Sequence, residues 1–247
     1  MKKIFFAIVS LFFMINSDTA AQISPSSELI EFDNAVRNSR VEMRKYCAHV
    51  QQLMKENDEA KKNEAVTHIT NSINLWNDVD KFTENVPAEY SNEKQFGEKL
   101  SQINSKLDEM KTKLVEDQFK ESFDACAAAC GLFVKLHEDN NLDYALDKLF
   151  HLRKAVKKLQ KDIEANDKSV IENDIKSIQQ KRNDVVAVKL NLSLGLSNNE
   201  NYKNNILEIS SMIDEITFEY INKKEIQLEK KLVDLLAVIN KAYSLAL

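Results

Sequence analysis

After Pro25 the 247-residue chain meets one more proline, Pro87, and three glycines, Gly97, Gly131 and Gly195. Between these few breaks, apolar side chains recur every three or four residues. Leu29, Phe32, Val36, Met43, Tyr46, Cys47, Val50 and Leu53 form the first such seam, which resumes at Ala65, Val66, Ile69, Ile73, Trp76, Val79 and Phe82. A chain with this period and so little turn chemistry has one economical fold, long amphipathic helices that bury their stripes against each other. The 30% of charged residues supplies the outward faces.

Four helical patterns follow. The first runs to about Thr83. The second carries Phe96, Leu100, Ile103, Leu107, Met110, Leu114, Phe119, Phe123, Cys126, Cys130 and Phe133. The third carries Leu149, Leu152, Val156, Leu159, Ile163, Ile171, Ile175 and Ile178, and the fourth starts near Asn199. Residues 85–92, 139–141 and 186–196 connect them. The last three patterns each cover about 46 residues, roughly 70 Å as helix. Matched lengths and short links predict an all-α fold, an elongated antiparallel four-helix bundle spanning 22–247 as one domain. Six helices, with breaks at Asn57-Asp58 and Asn166-Asp167, are the alternative.

Three cysteines bear on the register. Cys126 and Cys130 are spaced i, i+4, which puts their Cβ atoms about 5–6 Å apart on a helix, too far for a disulfide at about 3.5–4.5 Å. Cys47 is the remaining partner. An antiparallel hairpin turning near Pro87 pairs residues whose numbers sum to about 174, and Cys47 with Cys126 gives 173, with Cys130 177. One bridge is expected, Cys47–Cys126 or Cys47–Cys130, with the third thiol free. Three buried reduced cysteines are the competing arrangement. Metal or haem ligation finds no pattern: Cys126 and Cys130 are separated by three residues, and Gly131 stands where haem attachment needs His.

The N-terminus reads as an address. Met1-Lys2-Lys3, an apolar run over 4–15 and a small-residue end at Thr19 to Ala21 match a cleavable secretory signal, residues 1–21. Secretion, or export to a periplasm, is therefore expected, and it favours the disulfide. Losing Lys2, Lys3 and Asp18 moves the net charge from −5 to −6. That mild acidity gives no reason to expect a nucleic-acid partner.

Two stretches depart from the helical period. Over 186–196, Val188, Leu190, Leu192, Leu194 and Leu196 alternate with polar or small residues, a period of two. They read either as a loop packed on the bundle tip or as an apolar tip that touches a membrane. Asn191-Leu192-Ser193 is a glycosylation sequon, meaningful in a eukaryotic secretory route. On the third pattern, Arg153, Lys154, Lys157, Lys158 and Lys161 read as a solvated basic face.

The halves, about 27–137 and 141–247, look duplicated. Met43-Arg44-Lys45 aligns with Leu152-Arg153-Lys154 and Asn57-Asp58 with Asn166-Asp167, both at an offset of 109. Ile103, Leu107, Asp108 and Glu109 align with Ile209, Ile213, Asp214 and Glu215 at 106. No nucleophile elbow, zincin motif or glycine-rich phosphate loop is present, so no catalytic residue, cofactor or metal is assigned. The expected function is that of a secreted, non-enzymatic helical binding or interaction protein whose partner is a protein or an apolar small ligand. A carrier of lipid or other apolar ligands, using the small-residue layer from Ala125 to Gly131, is one alternative. A membrane-active bundle inserting the 186–196 tip is the other.

Overall fold

A computed structural model describes residues 24–247 apart from Asn57, Leu194 and residues 223–227. The proposed signal segment and Leu194 of the apolar tip thus lie outside the described residues. Those described form eight α-helices and no strand: α1 (Ser27–Leu53), α2 (Glu59–Asp80), α3 (Phe96–Val115), α4 (Phe119–Asp139), α5 (Ala145–Glu164), α6 (Lys168–Ala187), α7 (Glu200–Ile221) and α8 (Leu228–Ala246). The fold is an all-α helical bundle. Each expected rod, however, is divided near its middle, so the helices are about 30 Å long rather than 70 Å.

The divisions have local causes. Asp117 and Asn166 adopt left-handed backbone conformations, as does Asn141 at the mid-chain link. Asp and Asn tolerate this region because their short polar side chains bond locally. At all three, the following N–H reaches back five residues: Gln118 donates to the Lys113 carbonyl, Leu142 to His137 and Asp167 to Asp162, each at 2.9 Å. This is the six-to-one bond that seals a helix C-terminus, built without glycine. New helices then start on side-chain caps. Asp58 accepts from the N–H groups of Ala60 (2.9 Å) and Lys61 (3.3 Å), and Asp167 from that of Ser169 (3.2 Å). Ser26 and Asn199 cap α1 and α7 in the same way.

Helix α1 packs on α2, α2 on α3, α3 on α4, and α4 back on α1; α5 to α8 repeat this cycle. Buried apolar residues accordingly form two cores, one drawn from Leu29 to Leu136 and one from Ala145 to Tyr243. In the first, Phe32 sits among Phe82, Tyr90 and Phe96 at 5.4–5.6 Å between ring centroids. Ser39 and Ser72 let α1 and α2 approach closely, each hydroxyl donating to the other's carbonyl oxygen at 2.9 and 3.0 Å.

Val186 and Ala187 close α6, and the described residues of 188–196 form a connection packed against both cores. Leu196 is buried, Val188 and Leu190 lie against the second core, and Leu192 reaches the first. Ser193 accepts from the Ala145 N–H at 3.2 Å. Leu196 is thus engaged in the core, and Val188, Leu190 and Leu192 are partly covered by it. Asn191 is partly buried in this turn. Among the described residues no helix is long and apolar enough to cross a membrane.

Candidate functional site

The two cycles meet through α1 and α4 on one side and α5 and α8 on the other, and between them lies a cavity of about 300 Å³. Helical spacing selects its lining. Arg40, Met43, Arg44, Cys47, Ala48 and Gln51 form one continuous stripe of α1. Phe123, Cys126, Ala127 and Cys130 form the matching stripe of α4. Such i, i+3, i+4, i+7 sets share a helix face. Across the gap stand Arg153 and Lys157 of α5 and Asn240 and Tyr243 of α8, with Leu247 at the edge.

Cys47 and Cys126 are bonded to each other, joining α1 to α4 with Cα atoms 7.0 Å apart, and form part of the cavity floor. Cys130, one turn further along α4, keeps a buried free thiol. Small side chains create the space. Ala48 and Ala127 offer a methyl each where the helix pairs face one another. The small-residue layer thus contributes through Cys126, Ala127 and Cys130, while Ala125 and Ala129 turn into the first core.

The cavity's charge is one-sided. Among the described residues four cations line it and no Asp or Glu side chain does. The cations meet aromatic rings instead. The Arg40 guanidinium lies 4.9 Å from the Phe133 ring centroid and donates to the Tyr243 hydroxyl at 3.0 Å. Arg153 lies 4.6 Å from the centre of the Tyr243 ring, and Lys157 5.9 Å from that of Phe123. Burial pushes the pKa of Lys157 down, and the charge of Arg153 pushes it further. Arg44 is lowered in the same direction, first by burial, with Arg153 adding to it against an opposing pull from Tyr243. Burial also opposes the charge on Arg40, but Tyr243, Cys130 and Asp147 outweigh it.

Arg40 also borders a second, smaller cavity of about 100 Å³, lined in part by Asp33, Arg37, His137 and Tyr144. A polar knot ties the halves together here. The Tyr144 hydroxyl donates to Asp33 (2.8 Å), His137 Nδ1 lies 2.6 Å from Asp147, and the His137 ring stacks on Tyr144 at 4.2 Å. Burial raises the Asp33 carboxyl to about 6, against the lowering effects of Tyr144, His137 and Arg40. Arg37 donates to the terminal Leu247 oxygen close by. His137 and Asp147 are almost fully enclosed, 5% and 2% exposed, and the pair braces the junction.

Sequence reasoning located the cysteines and the small-residue layer but missed the cations. Arg153 and Lys157 were assigned to a solvated basic face. Lys154, Lys157, Lys158 and Lys161 of that set are exposed, as that reading expects, and Lys158 pairs with Asp162 and Asp174; Arg153 is partly buried, and both it and Lys157 also border the cavity. A signal did exist at Arg40. It fills the gap between Val36 and Met43 in the first seam, a charged residue at an apolar position. The chain matches no family model, no curated protein and no solved structure.

Proposed function

We propose that this is an exported, non-enzymatic binding protein that holds a small amphipathic molecule in the cleft between its two halves. The observation that carries this reading is the cavity of about 300 Å³, walled by α1, α4, α5 and α8 and floored by Met43, Ala48, Phe123, Ala127 and the Cys47–Cys126 bridge. Ligand sites are typically concave, mainly apolar and fitted with a few polar groups, with volumes of about 300–1,000 Å³; this cleft lies at the small end. The disulfide and the signal-like first 21 residues support export. The carrier reading thereby moves ahead of a protein partner. The closing test is titration of the folded, oxidised protein with the neutral dye Nile red. Saturable fluorescence enhancement that is lost in Ala127→Leu is expected, and absence of binding would overturn the reading.

A protein partner keeps one supporting observation. Leu207, Phe218 and Ile221 stand 62–70% exposed on α7, and none of them lines the cleft. Substituting all three by Ser leaves dye binding intact if the cleft carries the function.

A further inference from the structure

We propose that the cleft selects anions, an oxyanion head (carboxylate, phosphate or sulfate) carried on a short apolar body. This deepens the cleft reading and rests on it. Two independent features lead here. The first is unbalanced charge: Arg40, Arg44, Arg153 and Lys157 line one cavity, and among the described residues no acidic side chain lines it with them. Elsewhere on this surface cations are routinely paired, as Lys99 is with Glu93 and Asp139, and Lys231 with Glu215 and Glu219. Grouping unpaired cations in a partly desolvated gap costs stability, since each disfavours the charge of its neighbours. Arg44 and Lys157 show that cost: burial disfavours the charge on each, and the nearby Arg153 adds to it. An oxyanion removes it, and a guanidinium presents a planar fork that matches carboxylate or phosphate oxygens.

The second feature is the floor. Met43, Ala48, Phe123, Ala127 and the disulfide offer an apolar surface directly against the cationic rim. A bare inorganic ion would leave that surface uncovered, whereas an apolar tail removes it from water. Arg40 differs from the other three cations. It is held by Tyr243 and Phe133 and lies 5% exposed, so it sets the positive potential from beneath. Arg44, Arg153 and Lys157 are the groups placed to touch the head.

The test is isothermal titration of the full, oxidised protein with decanoate, decyl phosphate, decanol and inorganic phosphate. Decanoate and decyl phosphate are expected to bind at least tenfold more tightly than decanol, and both more tightly than phosphate. Raising salt from 50 to 500 mM should weaken the two anions and leave decanol unchanged. Arg44→Gln and Lys157→Gln should each lower decanoate affinity about tenfold without weakening decanol binding, and neither should lower the melting temperature of the free protein. Those positions are chosen because neither side chain holds the core. Equal binding of decanoate and decanol would overturn anion selection while leaving the cleft reading intact. Phosphate binding as tightly as decyl phosphate would overturn the apolar body and identify a free oxyanion as ligand. Failure of all four probes to bind would overturn both.

Discussion

Asp33 shows how a residue the seam pattern passes over controls the junction. Its carboxyl accepts from Tyr144 in a nearly closed setting, and burial lifts its pKa from 3.8 to about 6. The folded protein therefore holds this proton more tightly than the unfolded chain. The resulting stabilisation is complete below pH 3.8 and is lost as pH rises through about 6. Asp33→Asn keeps an acceptor for Tyr144 and removes the buried charge. We expect it to raise stability at pH 7.5, by up to about 3 kcal/mol, and to have little effect at pH 4. Urea denaturation at the two pH values measures the difference, and an equal effect at both would exclude the titration. Nothing local in the sequence distinguishes Asp33 from the many solvated carboxylates. Its environment is made by His137, from the end of the first half, and Tyr144, from the start of the second. Cys47 and Cys126 were legible because a single hairpin register relates them. Arg153 was not, because helical periodicity defines which face is apolar but not what a second bundle brings against the polar one.

At the level of helices, the all-α class and most seam residues could be read from spacing, while the breaks could only partly be read. Asn57-Asp58 and Asn166-Asp167 carry turn residues and stood as possible breaks. Asp117 turns the chain without glycine or proline, in a stretch where Val115 and Phe119 keep the period apparently unbroken. The register of Cys47 with Cys126 nevertheless survives. Bending a hairpin across its length adds the pairs α1–α2 and α3–α4 but keeps α1 beside α4 and α2 beside α3. Lys62 on α2 still reaches Asp117 at 2.5 Å. The α4 stripe yields a prediction of its own. Ala127 is exposed to the cavity, so Ala127→Leu should fill it, abolishing Nile red and decanoate binding. The melting temperature should shift by no more than about 2 °C, because no core contact is overpacked. Retained binding would place the ligand elsewhere.

Over the whole molecule, stabilising devices are unevenly shared. The bridge closes a loop of 79 residues in the first half, for which loop-closure arithmetic gives a ceiling of about 4–5 kcal/mol. The second core has no counterpart, with Val156 and Leu232 standing where the aligned positions place Cys47 and Cys126. Reduction, or Cys47→Ser with Cys126→Ser, is expected to speed amide hydrogen exchange throughout α1 to α4 and far less in α5 to α8. Uniform loss of protection would mean that the two cores open as one. The cleft changes that partition. A guest gripped by walls from both halves is released when either half opens, so its binding energy opposes each event alike. Occupancy therefore acts as a rivet: at a hundredfold excess over Kd it adds about 2.7 kcal/mol to both openings and draws two separable melts toward a single transition.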